Sequence, residues 1–249
     1  MKVILYIALW KRQKLSKLIV HYINQLYREG RKKGVQLDVH YIWTNQEDLD
    51  NYTEDLLPKW SENYCENLPL GRKFNSGLKY VVNGGYDYLM QLGSDDTLRH
   101  DFWDYALPYM KQKAEILGCK NLRIVDFGSK KEKLRSFNDV FGAGRLMRMD
   151  LVEKASNVYK CRSKVSDTSG LRKGAPCIVP KSKFRPKMHE KVGEGWELWE
   201  NGRMSGLDFN SECNLMARTY IFKPIAIDQD QYLATDYKTG DNIHGFEKF

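Results

Sequence analysis

The stretch Tyr86-Asp87-Tyr88-Leu89-Met90-Gln91-Leu92-Gly93-Ser94-Asp95-Asp96 passes from an apolar run through a glycine into two adjacent carboxylates. It predicts a strand over 86–92 that ends in a polar turn. Working back toward the N-terminus, Val3-Ile4-Leu5-Tyr6-Ile7-Ala8 reads as a strand buried on both faces, as strands of parallel sheets are. Leu15, Leu18, Ile19, Tyr22, Ile23, Leu26 and Tyr27 recur at helical spacing up to Gly30, which predicts an amphipathic helix with a glycine stop. Val35 to Trp43 alternates as another strand and runs into the polar segment Thr44-Asn45-Gln46-Glu47-Asp48. A helix built on Leu78, Tyr80, Val81 and Val82 is expected between Gly71 and Gly85. Strands alternating with helices in this way predict an α/β fold with a mostly parallel sheet flanked by helices.

Beyond the carboxylates, Leu122 to Phe127 is strand-like, and Gly142-Ala143-Gly144-Arg145 precedes a helix expected over Met149 to Ala155. A helix over Phe209 to Tyr220, capped by Asp208 or Asn210, and a strand over Ile221 to Ile227 follow. The tail from Asp228 to Phe249 is polar and aromatic. Ten basic residues between Lys160 and Lys191 face only Asp167 and Glu190. With Gly170, Gly174, Pro176, Pro180 and Pro186 among them, residues 160–193 read as a basic loop insertion, either a solvated segment or a flap for polyanions.

The whole chain of 249 residues carries 40 Lys+Arg against 32 Asp+Glu, a formal charge of +8, with 42% hydrophobic residues. That hydrophobic content is enough to bury a core, which excludes wholesale disorder. No apolar run approaches the roughly 20 residues that span a bilayer, and Val3 to Trp10 is too short for a secretory core, so no transmembrane segment is expected. Five cysteines (Cys65, Cys119, Cys161, Cys177, Cys213) with no C-x-x-C pair argue against a disulfide scaffold or structural zinc and for a cytoplasmic location.

Ligands of open α/β sheets bind beyond the carboxyl ends of the strands. That rule selects Asp95, Asp96 and the polar run after Trp43. Paired carboxylates there make a hard-oxygen site for a divalent ion shared with phosphates; an Asp pair after a strand also serves as a turn or helix cap.

At these residues the sequence resembles the nucleotide-sugar glycosyltransferases of the GT-A fold, especially the large family-2 group. Gly71-Arg72-Lys73-Phe74-Asn75-Ser76-Gly77 looks like that group's G-x-x-x-N-x-G segment. Tyr86 to Asp96 looks like its strand ending in a metal-binding D-x-D, with Ser94 at the first acidic position. Gly142-Ala143-Gly144-Arg145 resembles the strand after the acceptor-side turn, and Gly206-Leu207-Asp208 is similar to the motif supplying the general base. The likeness is close over 1–110 and loose over 140–245.

The resemblance implies a single GT-A-like domain over 1–249, with a nucleotide-sugar-binding half at 1–110 and an acceptor-binding half at 111–249. It implies a metal-dependent, inverting transferase that moves a sugar from a nucleotide-sugar, UDP-sugar favoured, to a hydroxyl. Asp208 would be the catalytic base, although a helix cap is its plain alternative. Asp96 would hold Mn²⁺ or Mg²⁺, with His244 completing the shell, although a surface position is the plain alternative for that histidine. Donor contacts would come from Ala8, Trp10, Arg12, Asn45, Glu47, Arg72, Asn75, Ser94, Asp95 and Lys238; core packing is the equal alternative for Trp10, and a solvated surface position for Lys238. Arg145, Lys173, Trp196 and Trp199 would face the acceptor; for the two tryptophans, core packing is the equal alternative.

The acceptor stays open between a saccharide or lipid-linked hydroxyl and DNA carrying hydroxymethylated pyrimidines, as phage-type base glycosyltransferases use. DNA would be held by the basic loop and present a flipped base. A nucleotidyltransferase would need a glycine-rich loop after the first strand, where this chain has Leu9-Trp10-Lys11-Arg12. A non-catalytic nucleic-acid-binding protein would leave Asp95, Asp96 and Asp208 without a role.

Overall fold

Alternate residues of the first strand, β1 (Lys2–Ala8), enter two different cores. Val3, Leu5 and Ile7 pack with helix α1 (Gln13–Lys32), whereas Ile4, Tyr6 and Ala8 pack with helix α3 (Leu70–Val81). A strand covered on both faces needs an unbroken apolar run, which is why this segment lacks the polar alternation of a one-sided sheet. The computed structural model describes residues 1–67, 70–137, 140–154, 225–239 and 246. The basic segment 160–193 and the helix expected over Phe209–Tyr220 lie outside the described residues.

Strand β2 (Gln36–Trp43) lies parallel to β1, and β3 (Trp60–Tyr64) parallel to β2. On the other side of β1 runs β4 (Tyr88–Gly93), also parallel. Next comes β9 (Arg145–Arg148), antiparallel to both β4 and β6 (Ile116–Gly118), and then β10 (Ile225–Ala226), parallel to β6. The order is β10-β6-β9-β4-β1-β2-β3. Helices α1, α2 (Gln46–Thr53) and α4 (Phe102–Lys111) supply one covering layer, and α3 and α5 (Met149–Lys154) the other. Trp103 locks α4 to α1 by donating its indole N–H to Leu26 O at 2.9 Å.

A second sheet of four strands, β5-β11-β7-β8, carries β5 (Asp96–Leu98), β7 (Asn121–Asp126), β8 (Glu132–Ser136) and β11 (Ala234–Lys238). The fold is thus α/β, with a mixed, mostly parallel sheet flanked by helices. Among the described residues no helix is long and apolar enough to cross a membrane.

The expected strands over Val3–Ala8, Val35–Trp43 and Leu122–Phe127, and the helix over Leu15–Gly30, stand within three residues of their observed bounds. The strand expected from Tyr86 starts at Tyr88 and includes Gly93. Of the strand expected over Ile221–Ile227, residues 225–227 are described, and the strand there is Ile225–Ala226. The polar run after Trp43 is a helix start rather than a loop: Asn45 caps α2, its side chain accepting from Glu47 N at 3.2 Å. The polar and aromatic tail contains β11.

Candidate cation and nucleotide site

Gly93 closes β4, Ser94 and Asp95 make the turn, and Asp96 opens β5. The β5–β11 ladder sets Asp96 opposite Asp236, and Tyr237 N donates to Asp95 O at 2.8 Å. Strand pairing therefore carries a third carboxylate, far away in the chain, to the Asp95–Asp96 turn. One oxygen from each of Asp95, Asp96 and Asp236 lies within 4.8 Å of the others. A hard divalent ion with metal–oxygen distances of about 2.1–2.6 Å fits such a set. Asp236 is 9% exposed, and its Oδ1 is buried with no hydrogen-bond partner among the described residues. An orphaned buried carboxylate oxygen is costly unless something polar joins it, so the donor set and the orphaned atom both fit a cation.

Two cations border the acids. Lys238 Nζ sits 2.5 Å from Asp236 Oδ2, and Arg12 Nη2 sits 3.5 Å from Asp95 Oδ2. Burial, then the charge of Asp95, pushes the Asp236 carboxyl up to about 7 against the pull of Lys238. Burial works to lower the Lys238 ammonium, but Asp236 and Asp95 outweigh it and the group is raised. Three carboxylates against two cations leave the ionised cluster one negative charge in excess.

Gly93 is required by this geometry. A Cβ there would press into Asp96 Oδ2 and come within 2.8 Å of Asp95 Oδ1. It would also disturb the bond by which Gly93 N holds Asp96 Oδ2 at 3.0 Å. Since the clashing atoms are carboxylate ends, they move and the backbone stays. Gly93→Ala is expected to weaken Mn²⁺ binding about tenfold while changing unfolding free energy by about 1 kcal/mol or less. Calorimetric titration of Mn²⁺ beside urea unfolding checks both halves.

The carboxyl ends of β1 and β2 form the adjoining rim. Ala8 pairs with Ile42 on one side and Gly93 on the other, so the chain leaving β1 passes directly beside the acidic turn. Trp10 is half-buried, with Lys11 Nζ 5.0 Å from its ring centroid. Lys11 adopts φ 50°, and its N–H donates to Asp48 Oδ2 at 3.0 Å, which pins this loop to α2. Asn45, which precedes α2, and Glu47, on its first turn, are exposed; the Asn45 side-chain oxygen is occupied as a cap. Ser94 is buried, its carbonyl accepting from Tyr52 Oη at 2.6 Å.

Lys73, inside the G-x-x-x-N-x-G segment, is fully buried. Its ammonium donates to Leu9 O at 2.5 Å, Thr44 Oγ1 at 2.8 Å and Asn67 Oδ1 at 3.3 Å. Three donors meet three neutral acceptors, tying the exits of β1 and β2 to the segment before α3. Burial lowers this ammonium from 10.5 to about 8. The unfolded chain therefore binds a proton between pH 8 and 10.5 that the folded chain has released, and stability rises with pH across that window. The contribution is about 3 kcal/mol, absent below pH 8 and complete near pH 10.5. Urea unfolding at pH 7.5 and 10 is expected to show it as a difference between wild type and Lys73→Met.

Of the other expected site residues, Asn75 is half-buried on α3, and Arg72 lies on the same helix. Arg145 does not face an open surface: it is 1% exposed, and its Nη2 donates to Val140 O at 2.8 Å. Asp208, His244, Lys173, Trp196 and Trp199 lie outside the described residues. The structure adds Asp236, Lys73 and Tyr52 to the candidates. Alternation in Ala234-Thr235-Asp236-Tyr237-Lys238 puts Asp236 on the face of Lys238, but nothing in that pattern joins it to the Asp95–Asp96 turn.

No family model matches the sequence, and no curated protein matches it. Among solved structures the chain is similar to S. aureus TarS 1-349 in complex with UDP, at 14% identity and a TM-score of 0.48, over 72% of this chain and 56% of that one. It is also similar to 4-diphosphocytidyl-2C-methyl-D-erythritol synthase from Anaerococcus prevotii, at 9% identity and a TM-score of 0.43, over 88% of this chain and 97% of that one. The chain thus spans about half the length of the TarS structure.

Proposed function

We propose that the protein transfers a sugar from a nucleotide-sugar donor to a hydroxyl acceptor, with a divalent cation held by Asp95, Asp96 and Asp236. The carrying observation is the convergence of these three carboxylates at the end of β4, one of them with an orphaned buried oxygen. A bound cation would supply charge neutralisation for a diphosphate leaving group. Around it, Arg12 and Lys238 bring positive charge toward the same phosphates, and the exits of β1 and β2, braced by Lys73, form the floor for the nucleoside. The acceptor oxygen would form a bond to the anomeric carbon as the bond to the diphosphate breaks. The nucleoside diphosphate would leave with the bonding electrons, and the acceptor proton would pass to a carboxylate, for which Asp208 is our candidate. A single displacement of this kind inverts the anomeric centre.

Ten basic against two acidic residues between Lys160 and Lys191 favour a polyanionic acceptor, and DNA with hydroxymethylated pyrimidines combines phosphate with a hydroxyl. A donor screen by nucleotide release, with and without Mn²⁺ and with and without such DNA, tests both parts. Release that needs Mn²⁺ and rises with the modified duplex supports the reading. Release from no sugar-nucleotide under any condition rejects it. A gel shift at two salt concentrations isolates the acceptor: no complex at low salt removes DNA in favour of a saccharide or lipid-linked hydroxyl.

A further inference from the structure

Asp236 and Lys238 stand two residues apart on β11, so both side chains leave the same face of the strand. Asp236 is paired on both edges of β11, with Asp96 of β5 and Ile124 of β7, whereas Lys238 lies past the end of the β5 ladder and is paired with Asp126 of β7 alone. Asp236 has Oδ2 against Lys238 Nζ and a buried Oδ1 with no hydrogen-bond partner among the described residues, and one of its oxygens lies within 4.8 Å of oxygens of Asp95 and Asp96. The lysine side chain is 9% exposed and lies where a divalent ion bound to these acids would repel it. We propose that Lys238 is the resident counter-cation of the acidic triad, that a divalent ion displaces its ammonium from Asp236, and that the displaced ammonium then binds the donor's diphosphate. This rests on the functional reading above and adds an order of events to it.

The charge balance supports that order. Without the ion the ionised cluster carries three negative and two positive charges and repels a diphosphate. With the ion the same cluster is one positive charge in excess and attracts it. Asp236 would then be free to hold the ion in place of the lysine, and the Lys238 ammonium, on a flexible side chain rooted in β11, would move away from it. Its new partner must be an anion arriving at the same spot, and a diphosphate supplies one. Arg12 is paired with Asp95, and the exchange at Asp236 concerns Lys238.

The test uses the full chain and two titrations: Mn²⁺ alone, then UDP into the Mn²⁺-loaded protein. In Lys238→Met the two affinities are expected to move in opposite directions. Mn²⁺ binds about threefold or more tighter because its competitor is gone, and UDP binds about tenfold weaker because its phosphate partner is gone. Lys238→Arg, which keeps the charge, is expected to restore UDP affinity, and thermal melts of both variants verify folding. If Lys238→Met loses structure, Lys238→Gln takes the same measurements. Mn²⁺ binding that is unchanged or weaker in the neutral variants overturns the exchange, as does unchanged UDP affinity. Wild-type protein that binds Mn²⁺ but no UDP overturns the nucleotide reading itself, and the phosphate half of the proposal with it.

Discussion

Asp96→Ala is expected to lower Mn²⁺-dependent release of UDP from a UDP-sugar by about a thousandfold, the scale on which removing electrostatic stabilisation of a leaving group acts. The reason is positional. Asp96 is the hinge residue of the cluster: its carboxylate is held by Gly93 N at 3.0 Å, and its backbone begins the ladder that brings Asp236 alongside. Removing the side chain leaves Asp95 and Asp236 balanced by Arg12 and Lys238, and an ionised cluster with no net charge has little pull on a divalent ion. The fold is expected to survive. The β5–β11 hydrogen bonds use backbone atoms only, and the lost side chain is only partly buried. Urea unfolding should therefore move by about 1 kcal/mol or less. The discriminating comparison is turnover against Mn²⁺ concentration in wild type and Asp96→Ala. Full metal-dependent turnover in the variant would place the ion elsewhere.

What the sequence reveals of this architecture follows from how far apart the interacting residues lie. β1, β2, β4 and α1 announce themselves because each fills its own window with the right period: an unbroken apolar run for a strand covered twice, a 3.6-residue spacing for a helix covered once. Helix α2 is missed because its eight residues, Gln46–Thr53, are mostly polar, and its cap, Asn45, belongs equally to the vocabulary of binding loops. Strand β3 is missed because Trp60-Ser61-Glu62-Asn63-Tyr64 buries only Asn63, as expected of a sheet edge. The acidic turn is legible at Asp95 and Asp96, but the third carboxylate is not. Asp236 joins them through a ladder whose partner, β5, is three residues long, and no local pattern encodes that pairing. Arg145 illustrates the converse error. A basic residue after Gly142-Ala143-Gly144 looks available to a ligand, yet it opens β9, which is inserted between β4 and β6, and that placement encloses it.

Gly77→Ala carries the largest expected cost in stability, and the neighbours of Gly77 explain why. It lies on the sheet-facing side of α3, where an added Cβ would press into Tyr6 Oη and come within 2.8 Å of Ile42 Cγ1 and 2.9 Å of Asn63 Oδ1. Those three residues belong to β1, β2 and β3, so no single rotamer change clears the space. Each is also committed. The Tyr6 hydroxyl donates to Phe74 O, and Asn63 Oδ1 bonds His40 Nε2 at 2.9 Å while its Nδ2 donates to Ser76 Oγ at 3.2 Å. Relief therefore requires α3 to lift off the sheet. Lifting it withdraws the Lys73 ammonium from Leu9 and Thr44, one turn away, and loosens the floor beside the acidic turn. Overpacking of this kind costs about 1–3 kcal/mol or more, partly offset by about 1 kcal/mol of better helix propensity for alanine over glycine. With three obstructing strands the upper end applies, giving a net loss of about 2 kcal/mol and a melting temperature lower by about 4–8 °C. Because the same movement pulls Lys73 out of its acceptors, the rise in stability between pH 8 and 10.5 is expected to shrink in Gly77→Ala as it does in Lys73→Met. A Gly77→Ala protein that melts with wild type and keeps that pH dependence would mean that α3 packs farther from the strands than these contacts require.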